Sequence, residues 1–249
     1  MVRTVQRAIQ ILELITERGP LGVSEISRVL RIPKSSAHNI LETLVGGRLL
    51  EKEAERSLYH LGSKLIELGN RAQQNLAIQR IARPHLRALN EELDDTVHLT
   101  ILDRDEVLYI DCIESRRPLR MHSVIGVRAP LYCTAVGKAI MAHLPAADID
   151  RIVKTQGLAA FTPTTITTRK GLDEELEKTR RRGYAVDNME HEDLLRCVGA
   201  PVRDHTGAVI GAISVSGPSQ RITVRGAAQI APRVMAAAAA ISAGLGANG

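Results

Sequence analysis

Tryptophan is missing from this 249-residue chain, phenylalanine occurs once and tyrosine four times. Stacking of single-stranded bases on exposed aromatic side chains therefore has almost nothing to work with. Cysteine is also scarce: Cys112, Cys133 and Cys197 form no CxxC pair and no disulfide-like spacing, so a reducing cytoplasm is the expected setting. No ligand spacing joins these thiols to the eight histidines, so no metal or cofactor is expected. The longest apolar run, Met235–Ile241 with Val234 before it, falls far short of the roughly 20 residues that span a bilayer. Arg3 and Arg7 lie inside an amphipathic pattern rather than ahead of an apolar core, so no signal peptide is expected either. Nor does one sign of charge dominate. The net charge is +5, and residues 1–62 hold nine Lys and Arg against seven Asp and Glu, a net of +2. Charge permits nucleic-acid binding without demanding it, and non-specific affinity should be modest and salt-sensitive.

The most specific pattern that is present runs from Val23 to Leu50. Ser24–Leu30 reads as a short helix with Ile26, Val29 and Leu30 on its apolar side. Ile32-Pro33 ends it, because the residue before a proline leaves the helical region and proline cannot continue a helix. A second helix begins at Lys34 or Ser35 and reaches about Val45, with Ala37, Ile40, Leu41 and Leu44 at helical spacing. Thr4–Arg18 supplies a third helix, with Val5, Ala8, Ile9, Leu12 and Ile15 on one side. Leu49–Lys52 and Ser57–Leu61 read as two strands around the tip Glu53-Ala54-Glu55-Arg56, hence a wing whose tip, acidic at Glu53 and Glu55, has Arg56 as its only cation. A short helix carrying hydrogen-bonding side chains fits the DNA major groove. Ser35, Ser36, His38, Asn39 and Thr43 are the candidates for base readout, and Arg31 and Lys34 for phosphates.

Beyond Gly62 the pattern changes. Ser63–Asn90 is largely helical, interrupted near Pro84, and its first half is long enough to bridge two domains. Strand-like segments follow at Thr96–Leu102, Val107–Ile113 and Leu119–Ile125, then helices at Thr134–His143, Ala146–Gln156 and Leu172–Arg182. Strands resume at Tyr184–Val186, Cys197–Arg203 and Val209–Ser216, with Asp204–Gly207 as a hairpin turn, and a helix closes the series from Gly226 to Ala243. The chain is thus α+β, long enough for one large or two ordinary domains, with an antiparallel sheet in the second part.

Enzyme motifs fail where tested. Gly137-Lys138-Ala139 lacks the upstream glycine and the Ser or Thr of a phosphate loop, His191-Glu192 has no second histidine four residues on, and no GxSxG elbow exists. Gly244–Gly249 matches GxGxxG only formally, since it follows a helix. Cys133 with His122 or His143 as base would make a thiol-dependent hydrolase, but a lone cysteine is more often a small buried apolar residue. The run Arg180-Arg181-Arg182 reads as a solvated helix face.

The segments IPKSSAHNILETL, YHLGSKLIELG, PLYCTAVGKAIMAHL and GYAVDNMEHEDLLRCVGAPVRDHTGAVIGAISVSGPSQRIT, in this order and spacing, resemble those of the IclR family of bacterial transcriptional regulators over essentially the whole chain. The resemblance implies a winged helix-turn-helix over residues 1–62, a linker helix over 63–82 and a GAF-like α/β effector-binding domain over 83–249. It implies regulators, repressors among them, that bind double-stranded operator DNA as dimers or tetramers, control catabolic operons and answer to small organic acids. By motif, the family's effector pocket corresponds to Met121, Ala135, Val136, Asp187, Leu195, Cys197, Ser214 and Ser216, with Ala129, Leu131 and Cys133 as further walls. No catalytic role, cofactor, metal or membrane partner is implied. Leu194 stands where the family often has a small residue or Gly, and Gly199 where Ala is common; Ala129 and Ala135 suggest somewhat more room.

Those positions suit an acid. Thr134-Ala135-Val136 opens a helix, where free N–H groups favour a carboxylate. Ser214 and Ser216, two apart on a strand, point to one face, with Asp187 and Cys197 expected on the opposite wall. An Asp near an anion is costly unless it is protonated or accepts a ligand hydroxyl, which points to a hydroxylated or hydrated keto acid, either a sugar acid or a hydroxylated aromatic acid. A protein-interaction adaptor, using the helical bundle on a protein partner, is the remaining alternative.

Overall fold

Apolar residues spaced three and four apart fold the first part of the chain into three helices: α1 (Arg3–Arg18), α2 (Val23–Leu30) and α3 (Lys34–Gly46). The computed structural model describes residues 2–53, 55–74, 76–117 and 125–247, and the chain divides into two compact units, Met1–Asn75 and Leu76–Gly249.

In the first unit, β1 (Leu21–Gly22), β2 (Leu50–Glu53) and β3 (Leu58–Leu61) form an antiparallel sheet in the order β1-β3-β2. Strands β2 and β3 are the expected wing, and β1 is an addition that two residues were too short to signal. The turn between α2 and α3 is closed locally. Arg31 takes a left-handed φ of 52°, the Ser27 hydroxyl donates to the Ile32 carbonyl at 2.7 Å, and Pro33 caps α3 in an extended conformation. Ile11, Leu14 and Ile15 of α1 pack with Ile26, Ala37, Leu41, Leu44, Leu50 and Tyr59. Val5 and Ile9, expected on that buried side, are instead 57% and 51% exposed. Helix α1 carries two apolar stripes, and Ile11 and Leu14 bury the other one.

Helix α4 (Lys64–Gln74) completes this unit, and α5 (Ala77–Leu93) begins the second. The single bridging helix expected over 63–82 is therefore two, with Leu76 extended at ψ 98°. On a continuous helix Ile66 would lie on the opposite side from Ile78, Ala82, Leu86 and Leu89, which α5 buries. Pro84, expected to interrupt, is tolerated inside α5 because it faces solvent, where the carbonyl it leaves unbonded is open to water.

The second unit is built on β4 (Thr96–Asp103), β5 (Glu106–Ile113), β6 (Arg128–Pro130), β7 (Ala185–Asn188), β8 (Leu195–Arg203) and β9 (Val209–Pro218). They form one antiparallel sheet in the order β6-β5-β4-β9-β8-β7. The strand expected over Leu119–Ile125 lies, except for Ile125, outside the described residues. Alternation sorts the side chains. Val97, Leu99, Val198, Ile213 and Val215 face α5 and α9 (Val224–Gly244). The other face meets α6 (Ala135–Met141), α7 (Ala146–Gln156) and α8 (Arg169–Arg182) through Val107, Ala212, Val136, Ile140, Ile149, Ile152, Leu172 and Leu176. No helix among the described residues is long and apolar enough to cross a membrane.

Candidate nucleic-acid interface and ligand cavity

Helix α3 buries Ala37, Ile40, Leu41 and Leu44 and turns its remaining faces outward. Lys34, Ser35, His38, Asn39 and Thr43 are exposed and Ser36 is half-buried, with Arg31 exposed in the preceding turn. The Thr43 hydroxyl donates to the Asn39 backbone carbonyl at 2.8 Å, and the Asn39 side chain is exposed. Glu42 is the acid of this surface. It accepts from the Tyr59 hydroxyl at 3.2 Å and lies 3.7 Å from Lys52 and 3.9 Å from His38, so its charge is drawn toward the wing. Arg56 is 3.7 Å from Glu53, so the wing's tip cation is paired within the tip.

In the second unit the sheet register assembles a polar row. Asp187 pairs with Cys197, Cys197 with Ser216, and Ser214 with both Gly199 and His98. Cross-strand partners share a face, so Asp187, Cys197, Ser214, Ser216 and His98 all point away from the α5–α9 layer. Asp187 and Cys197 therefore continue the wall that bears the serines rather than facing it. The opposite wall is the start of α6. It can lie so close because residue 199 is glycine: a Cβ there would stand 2.8 Å from the Ala135 carbonyl carbon and oxygen. Thr134 caps α6, its hydroxyl accepting from Gly137 N–H at 3.1 Å and donating to the Pro130 carbonyl at 2.9 Å. That leaves the first-turn N–H groups of Ala135 and Val136 without intrahelical partners.

Between these walls is a cavity of about 170 Å³, lined by Ala129, Ala135, Val136, Asp187, Leu195, Cys197, Ser214 and Ser216 among the anticipated residues. Leu131 and Cys133 do not line it; both are 0% exposed and belong to the core beneath α6. The turn into α6 points them inward. Met121, and with it His122, lies outside the described residues. The cavity also takes His98, Tyr109, Val127, Arg128, Thr134, His191 and Glu192, which sequence reasoning missed. A signal for His98 existed: Thr96, His98 and Thr100 alternate with Val97, Leu99 and Ile101, so one face of a buried strand is polar. Arg128, His191 and Glu192 come from a short edge strand and a loop, whose placement no periodicity fixes.

Burial governs the electrostatics. It pushes the Asp187 carboxyl up to about 7, against the pull of the Glu190 N–H and of Lys138. It lowers His98 to about 4, so this imidazole is neutral at pH 7. His98 Nδ1 lies 3.3 Å from Ser216 Oγ, and the ring meets Tyr109 edge-on at 5.3 Å. At the rim, Arg128 is tied to Asp103 and sits 3.8 Å from Glu106, and His191 packs on the exposed Phe161 ring at 5.2 Å. Leu194, where the family often has a small residue, has a left-handed φ of 66° and a side chain 69% exposed; that backbone conformation suits glycine.

The Cys133 thiol sits where its thiolate form is disfavoured. Burial, and then the neighbouring Asp187, push the Cys133 thiol up to about 12, so the thiolate is scarce at neutral pH. His143 is instead 3.3 Å from Arg203. Of the arginine run, Arg180 and Arg181 are exposed, as expected of a solvated helix face, and Arg182 is half-buried. Arg180 donates to the Ala142 carbonyl at 2.7 Å, Arg181 is 3.7 Å from Glu177, and Arg182 is 2.7 Å from Glu175.

Comparison with known proteins agrees with this geometry. The IclR helix-turn-helix domain model matches residues 4–54, and that of the bacterial transcriptional regulator IclR C-terminal region matches residues 70–243. The chain is 34% identical over 247 residues to the HTH-type transcriptional regulator XynR of Escherichia coli K12, covering 99% of this chain and 98% of that one. It is 36% identical over 245 residues to KdgR of the same organism, covering 98% and 93%. The crystal structure of the Thermotoga maritima IclR is 34% identical, with a TM-score of 0.80 over 99% of this chain and all of that one. With both units matched by its models and full-length relatives at this identity, the chain belongs to the IclR family of bacterial transcriptional regulators.

Proposed function

We propose that this regulator binds a palindromic operator through α3 and its wing, and that a small hydroxylated organic acid in the cavity changes its operator affinity. Asn39 pairs with adenine, Ser35, Ser36 and Thr43 reach base edges, and His38 reads a base or meets a phosphate. Arg31, Lys34 and Arg56 neutralise phosphates. The observation that carries the ligand reading is the row Asp187, Cys197, Ser216 and Ser214 facing the start of α6 across a cavity of about 170 Å³. That volume is slightly above the roughly 150 Å³ that admits one benzene ring, so a compact acid fits. Its carboxylate takes the Ala135 and Val136 N–H groups and its hydroxyl donates to Asp187.

Dimerisation completes the reading. Val2, Val5 and Ile9 line an open groove on α1, and Ile66 and Leu68 stand exposed on α4; a second copy of the chain covers such surfaces. Residues 1–62 then serve DNA, 63–82 couple, and 83–249 sense, with the ligand selecting one placement of the paired DNA-binding domains. The regulated genes form a catabolic operon. Calorimetric titration of 4-hydroxybenzoate against benzoate and of lactate against propionate, with gluconate added, tests the ligand class. One hydroxylated acid should bind about tenfold or more tighter than its deoxy analogue, and Asp187→Asn should narrow the gap. Equal affinity within every pair would sink the hydroxyl reading.

A further inference from the structure

Behind the cavity lies a group of charges that the recognition scheme above does not use. Lys138, one turn into α6, is 0% exposed. Its ammonium pairs with Glu190 Oε1 and lies 3.9 Å from Glu175, which continues to Arg182. Taking an ammonium out of water is expensive, so its retention calls for a return. Glu190 is the joint. Its Oε1 also accepts from the Asn188 N–H at 3.2 Å, while its own N–H donates to Asp187 Oδ1 at 2.7 Å. Glu190 Oε2 has no hydrogen-bond partner among the described residues. Lys138 and the Asn188 N–H, both on Oε1, thus hold this carboxylate. Between Asp187 and Glu190 the chain passes through Met189 at a left-handed φ of 62°, a conformation that persists only where surrounding bonds impose it. The Thr162 hydroxyl donates to the Met189 carbonyl and the Thr165 hydroxyl to the Glu190 carbonyl, each at 2.6 Å. Past Glu190, His191 and Glu192 turn into the cavity.

We propose that Lys138 is a positioning residue for ligand recognition: by clamping Glu190 it fixes the Asp187 carboxyl group on the cavity wall and the His191–Glu192 rim that follows. This role rests on the reading of the cavity as the ligand site. Lys138 does not line the cavity and touches no ligand there. Without it, Glu190, Glu175 and Asp187 would face one another lacking their shared cation, and Glu190 would turn away or take up a proton. Either change loosens the turn whose N–H orients Asp187.

Hydrogen–deuterium exchange on the full chain, without ligand, tests the role in Lys138→Met and in Lys138→Met/Glu190→Gln. In Lys138→Met the amides of residues 187–194 should exchange about tenfold or more faster, while residues 135–141 and the first unit keep wild-type rates. The double variant removes the stranded carboxylate and should regain thermal stability without regaining slow exchange at 187–194. Affinity for whichever acid of the panel binds the wild type should fall about tenfold in both variants. Unchanged exchange in Lys138→Met, or restored protection in the double variant, would overturn the positioning role alone. A wild-type protein that binds none of the acids would overturn the recognition role and the cavity reading together.

Discussion

Gly199→Ala puts one methyl group where the sheet and α6 meet. Its Cβ would lie 2.8 Å from the Ala135 carbonyl carbon and oxygen and 3.1 Å from the Val136 nitrogen. All three are backbone atoms, so no flexible side chain can give way, and the start of α6 must move. Overpacking of this kind costs about 1–3 kcal/mol, and alanine recovers about 0.5–1 kcal/mol of the entropy that glycine loses in a strand. Taking the middle of each range, the net loss is about 1 kcal/mol, a fall of roughly 2–4 °C in Tm for a unit of this size. The same movement displaces the Ala135 and Val136 N–H groups, so acid binding should weaken as well. Differential scanning calorimetry of the full chain reads the stability, and titration with the acid reads the site. Gly69→Ala is the control: a Cβ there meets nothing within 4 Å in α4, so its Tm should hold or rise. An unaltered Tm together with unaltered acid affinity in Gly199→Ala would refute the close-approach argument.

Two further outcomes follow from buried groups. The Asp187 carboxyl stands near 7 when folded against 3.8 ordinarily, so between these values the folded chain holds a proton the unfolded chain has released. Its contribution therefore falls as pH rises from about 4 to 7. Neutral His98, lowered to about 4, works in the opposite sense below 6.5, so the wild-type and Asp187→Asn curves are compared: the variant should gain relative stability up to pH 7 and stay ahead above it, and coincident curves would remove Asp187 from the account. Cys133, 0% exposed with its thiol pushed up to about 12, should resist iodoacetamide at pH 8 in the native chain and react once urea unfolds it. Rapid native labelling would return the thiol to candidacy as a nucleophile.

Helical spacing made α2 and α3 legible nearly to the residue, because Pro33 and the period of Ala37, Ile40, Leu41 and Leu44 leave little freedom. Alternation did the same for β8 and β9, and the shared face of Ser214 and Ser216 followed from strand geometry alone. Register did not. The row joining Asp187, Cys197 and Ser216 depends on which strands are neighbours, which a period of two cannot encode. Burial of Lys138 was equally hidden, since a lysine reads as solvent-facing until its carboxylates are placed in space. On α1 the two apolar stripes compete, and only packing against α3 decides that Ile11 and Leu14 go inside while Val5 and Ile9 stay out.

If DNA binding by the first unit answers to an acid bound in the second, one titration shows it. Fluorescence anisotropy would follow the full chain binding the promoter region beside its own gene, at near-physiological salt against shuffled DNA, with and without the acid that binds the cavity. The protein should prefer the promoter, shift in that affinity when the acid is added, and lose about 10- to 100-fold in specific binding in Asn39→Ala. Equal affinity for promoter and shuffled DNA, with or without every acid, would contradict the proposed function.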